Sequence, residues 1–147
     1  MICIHDDSLA RVSESEYTIS QETLAALRTV DVGSFRSKKF ANTYIPLLKE
    51  AFDCEPEKSK IFVEIKPSKI GFNELNEMVE TGVISKMNTH FLGFYPNVVK
   101  SLIKRFDIPA TLSIIPAFFD YDYKKISSFL EKSKSFGISQ HLSLIHI

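Results

Sequence analysis

A chain of 147 residues is long enough for one domain and rarely two. At 44% hydrophobic and 24% charged residues, with twelve Phe and five Tyr, it has an ordinary globular composition and bulky side chains for a core. Lys+Arg and Asp+Glu both number 18, so overall charge favours neither nucleic acid nor an anionic membrane, and affinity for phosphate has to come from a local site.

Cys3 and Cys54 match no C-x-x-C pattern, which leaves a zinc site or redox pair without support and favours two reduced, partly buried thiols over a disulfide. No apolar run reaches the ~18 residues of a membrane span. The start lacks the basic and long apolar stretches of a signal peptide, which points to a cytoplasmic chain unless a leader has been lost with a truncated start.

In chain order, Met1–Ile4 is a short apolar run that ends abruptly at His5-Asp6-Asp7. It reads as a buried strand presenting polar groups at its C-terminal end. Thr18 or Ser20 is placed to cap a helix over Gln21–Val30, where Leu24, Leu27 and Val30 recur at helical spacing. Asp31-Val32-Gly33-Ser34 stops it, and Phe35–Tyr44 is an irregular connection. Ile45-Pro46 opens a second helix that runs to Cys54, followed by a turn at Glu55–Lys58.

Ile61-Phe62-Val63 begins a strand with the continuous apolar character of one buried on both faces. Glu64 and Lys66 stand two apart at its end, so period-2 alternation sends both to the same side. A helix is predicted over Asn73–Val83, a strand over Asn88–Phe94 and a helix over Pro96–Phe106. A strand over Ala110–Pro116, a helix over Tyr123–Phe136 and a closing strand over His141–Ile147 complete the pattern.

Strands alternating with helices at short spacing make parallel βα units, which fit an open doubly wound sheet or a (β/α)8 barrel. No strand is followed by a G-x-G-x-x-G fingerprint, which disfavours a nucleotide-binding sheet. A strand-end His, a strand-end Glu and a neighbouring Lys suit metal-assisted chemistry on a phosphate ester. The bland alternative is that Glu64 and Lys66 simply pair at the edge of a core, and spacing does not separate the two.

The motifs in their order carry more. His5-Asp6-Asp7-Ser8-Leu9-Ala10-Arg11 resembles the H-D-x-x-L-x-R segment of the glycerophosphodiester phosphodiesterase family. Thr23–Leu27 resembles that family's T-L-x-E-L helix, Asp31–Phe35 its D-x-G-S-W/F turn, Ile45–Glu50 its I-P-T-L-E-E, Val63–Lys66 its I-E-I-K strand, and Gly93–Pro96 its S-F-x-P turn. The likeness runs over residues 1–116 in family order and spacing. Val12-Ser13, Leu47 and Gly93 depart from the family's usual Thr-Thr, Thr and Ser.

The resemblance implies an α/β fold, a partial TIM-type (β/α)8 barrel of about four to five parallel βα units over 1–141. It also implies hydrolysis of a small-molecule glycerophosphodiester to glycerol 3-phosphate and an alcohol, with a divalent cation, Mg2+ or Ca2+. Carried over by position, His5 is the second of two catalytic histidines, Glu64 a metal ligand and Lys66 the contact to the substrate phosphate. Asp6 and Arg11 match the motif and are expected to brace the loop. Asp120, Asp122, His90, His141 and His146 match no motif and are expected in surface or core roles.

The family's H-R-G and E-x-D strands, which carry the other histidine and two further metal ligands, occur nowhere in the chain. The expectation is therefore a fragment without activity of its own, the alternative being a degenerate barrel that binds phosphodiesters without cleaving them. Leu142–Ile147 reads either as a terminal strand or as a non-native tail, since it resembles a translated sequencing adapter.

Overall fold

The computed structural model describes residues 1–54, 59–67, 71–134 and 139–141. The chain divides into two compact units, Met1–Glu55 and Pro56–Ile147.

The first unit is built mostly from turns around a small core of Leu9, Leu27 and Ile45, against which Ile2, Ile4, Val12, Ile19, Val30 and Val32 pack. Its chain is tied by isolated antiparallel bridges at Ile2–Leu47, Ser8–Thr18 and Asp31–Tyr44. Met1–Ile4 is thus not the expected buried strand. Cys3 N–H donates to the Pro46 carbonyl and Leu48 N–H to that of Met1, and the side chains of this run remain half-buried on the local core.

The helix expected over Gln21–Val30 shrinks to one turn, α1 (Leu24–Leu27), preceded by a 3-10 turn at Ile19–Gln21. The cap is Thr23, whose Oγ1 accepts from Ala26 N–H at 3.1 Å, rather than Thr18 or Ser20. Glu22 is extended and separates the two turns. Helix α2 (Leu48–Asp53) starts later than Ile45 because Leu47 is still extended. There the Glu50 carboxylate reaches back to accept Leu47 N–H at 2.7 Å, satisfying one of the donors a helix start leaves open.

The second unit is a parallel α/β layer. Strands β1 (Ile61–Ile65), β2 (Thr89–Gly93), β3 (Ala110–Ser113) and β4 (Ser139–His141) lie side by side in sequence order, every neighbouring pair parallel. Between them run α3 (Asn73–Glu80), α4 (Pro96–Phe106) and α5 (Tyr123–Lys134). Pro96 opens α4 at a position where its missing N–H costs nothing, and Asp107 ends it in the left-handed conformation with φ 54°. Val98, Val99, Leu102 and Phe106 line its buried stripe.

Alternation divides the sheet into two faces. Val63, Ile65, Phe91, Ala110 and Leu112 are buried, and Gly93 lets α4 come close, since a Cβ there would lie 3.1 Å from a Val99 methyl. The other face carries Phe62, Glu64, His90 and Leu92, of which Phe62 is 60% exposed. β3 stops at Ser113 rather than Pro116 because a 3-10 turn begins at Pro116. β4 begins two residues before the expected start, and the expected remainder, Leu142–Ile147, lies outside the described residues.

Candidate functional site

The end of β1 holds the pair that sequence spacing singles out. Glu64 and Lys66 share one side of the strand, and the Lys66 ammonium lies 2.9 Å from Glu64 Oε1, each side chain about one-third accessible. Ile65 is in register with Gly93 of β2, so Lys66 and Phe94 leave neighbouring strands together. The Lys66 ammonium sits 5.9 Å from the Phe94 ring centre, within reach of a cation–π attraction. A carboxylate oxygen and an ammonium are thereby held together at the C-terminal edge of a parallel sheet, where such folds place their chemistry. Neither group is sealed from water, so both can receive a ligand.

His5 belongs to the first unit and is exposed. Its Nδ1 lies 2.6 Å from Asp6 Oδ1, while Arg11 Nε donates to Asp6 Oδ2 at 2.5 Å. Arg11 first, and then His5, hold the Asp6 carboxyl below its ordinary range. An ionised Asp6 accepts the Nδ1 proton, which leaves Nε2 of a neutral ring as the proton acceptor. Asp6 and Arg11 brace the loop as expected, and Asp6 also orients His5. The signal for that second role is adjacency in H-D, which by itself is also an ordinary turn.

Other flagged residues sit elsewhere. Asp122 accepts Lys124 and Lys125 N–H at the start of α5, and Asp120 pairs with Lys125 at 3.2 Å. His90 Nε2 lies 2.7 Å from the Thr111 hydroxyl, and its ring packs on Phe62 at 5.3 Å. Cys3 is half-buried and burial pushes its thiol up, while Cys54 is exposed, contrary to the partly buried pair expected. Among the described residues no three His, Cys, Asp or Glu side chains converge as a metal site. Glu64 fits a hard cation as one oxygen ligand, but Mg2+ and Ca2+ take about six or more oxygens.

The first unit depends on ionised carboxylates. Asp31 accepts four hydrogen bonds, from Gly33 N–H, Ser34 N–H, Asn42 N–H and the Ser34 hydroxyl. The bonds from the Asn42 and Gly33 amides come first in holding it far below its ordinary value of 3.8. Glu50 is held below 4.5, first by the Arg28 guanidinium, which meets it through both terminal nitrogens, and then by Leu47 N–H. Carboxyls with lowered folded-state pKa contribute stability above their unfolded values and lose it as pH falls through their folded values. Stability should therefore decline from about pH 4 downward, Asp31 losing its share last. Urea midpoints at neutral and acid pH test this: Asp31→Asn should lower the neutral midpoint and flatten the acid decline, and an unchanged profile would refute it.

In solved structures, a protein assigned as a glycerophosphoryl diester phosphodiesterase from Agrobacterium tumefaciens superposes with a TM-score of 0.70 at 18% identity, over 93% of this chain and 55% of that one. A glycerophosphodiester phosphodiesterase from the same organism gives 0.64 at 14% identity, over 95% of this chain and 66% of that one. The chain thus spans 55% and 66% of the length of these two structures. No curated protein matches it. Its four parallel strands and the three helices between them are part of a TIM-type (β/α)8 barrel. The pattern of the glycerophosphoryl diester phosphodiesterase family matches residues 1–107, and the chain belongs to that family.

Proposed function

We propose that the chain supplies part of the active site of a divalent-cation-dependent phosphodiesterase that hydrolyses glycerophosphodiesters to glycerol 3-phosphate and an alcohol. The observation that carries this reading is the Glu64–Lys66 pair, 2.9 Å apart and open to solvent at the end of β1. Lys66 meets a phosphate oxygen, steadied by the Phe94 ring, and Glu64 offers one carboxylate oxygen to the cation. A bound cation would neutralise charge developing on the phosphate. His5 enters through its motif, as a group that accepts or returns a proton at Nε2 while Asp6 holds Nδ1.

Titration of the purified chain with glycerol 3-phosphate, followed by NMR, tests the phosphate contact. Amide shifts should cluster at Lys66 and Phe94, and Lys66→Met should weaken binding by about tenfold or more, the worth of a charge-assisted hydrogen bond. Shifts that are absent, or that persist unchanged in Lys66→Met, would remove Lys66 from the phosphate site.

A further inference from the structure

A second surface lies in the connection between α1 and α2. Every residue from Ser34 to Tyr44 is exposed, and the run presents Phe35 at 54%, Phe40 at 47% and Tyr44 at 45% accessibility. Arg36, Lys38 and Lys39 lie among these rings, and no acidic residue occurs between Asp31 and Glu50. The zero net charge of the chain is an average that conceals this local excess of cations.

The loop is also built. The Asp31 carboxylate ties its two ends together through Gly33, Ser34 and Asn42. Within it, Phe40 N–H donates to the Ser37 carbonyl and the Thr43 hydroxyl to that of Phe40. The Lys39 ammonium sits 5.8 Å from the Phe40 ring centre. Two Phe rings are thus held in water by a fixed backbone rather than folded onto the neighbouring core.

We propose that Ser34–Tyr44 docks on an anionic phospholipid bilayer, with Phe35 and Phe40 entering the headgroup region and Arg36, Lys38 and Lys39 meeting lipid phosphates. Aromatic rings suit that interface, and a basic residue near an anionic leaflet contributes about 1 kcal/mol. Single-stranded nucleic acid also takes cations and rings, but it uses a groove with stacking platforms, whereas these rings stand on one short turn.

Sedimentation with phosphatidylcholine vesicles, with and without phosphatidylglycerol, tests the proposal. The chain should bind only the anionic vesicles and release them at high salt. Lys38→Ala with Lys39→Ala should weaken binding about thirtyfold. The chain has no Trp, so Phe35→Trp provides a single reporter whose emission should shift to the blue on anionic vesicles. Absent vesicle binding, equal binding by the double variant, an unshifted Trp, or tighter binding to poly(U) RNA would each overturn the proposal.

Discussion

Gly33→Ala is expected to destabilise the first unit by about 3 kcal/mol, the upper range for forcing atoms into a filled space. A Cβ at this position would lie 2.0 Å from the Phe40 carbonyl oxygen and 2.7 Å from Thr43 Cβ. The first of these is backbone and cannot swing aside. Moving it would disturb the turn around Phe40 and the bond from Val32 N–H to the Thr43 carbonyl, 2.8 Å long. Val32 packs against the Leu9, Leu27 and Ile45 core, so the displacement carries into the packing beneath. Urea unfolding and hydrogen exchange check the expectation: the midpoint should fall, and the Ser34 and Asn42 amides bonded to Asp31 should lose protection. A variant with unchanged midpoint and protection would show that the loop can make room for the added methyl.

The second unit was far more legible in the sequence than the first, for a physical reason. β1 and α4 announce themselves through a continuous apolar run and a helical stripe bounded by Pro96 and Asp107, because a parallel sheet covered by helices buries nearly every residue of one face. β3 was overextended because Ile114 and Ile115 continue the apolar run, while the 3-10 turn at Pro116 belongs to the backbone. Met1–Ile4 and Gln21–Val30 look like a strand and a helix by the same apolar spacing. In a turn-built unit, however, those side chains serve a small core of three buried residues, and local caps such as Thr23 decide where each turn ends.

At the candidate site, alternation correctly brought Glu64 and Lys66 together, and spacing alone could not say whether the pair was structural. The Phe94 ring beside Lys66 depends on the β1–β2 register, which no single strand reveals. The run of motifs from His5 to Pro96 carried the family, and the family match over residues 1–107 covers the same stretch. The Asp6 link to His5 left only the ambiguous H-D adjacency, and the Asp31 clamp was invisible, because short-range hydrogen bonds leave no periodic trace.

The largest effect on activity follows from the ligand count. If hydrolysis runs as proposed, through the two proton-transfer groups and several metal carboxylates that the resemblance implies, His5 and Glu64 would be this chain's share of that set. Groups that act as a unit fail together, so losing one member costs on the order of 10^4 or more in rate. The direct measurement is hydrolysis of glycerophosphocholine with Mg2+ or Ca2+ by the purified 147-residue chain, alongside Glu64→Ala. The account predicts no metal-dependent turnover from either protein. Turnover by the chain that disappears in Glu64→Ala would contradict it, showing that these residues complete a working site.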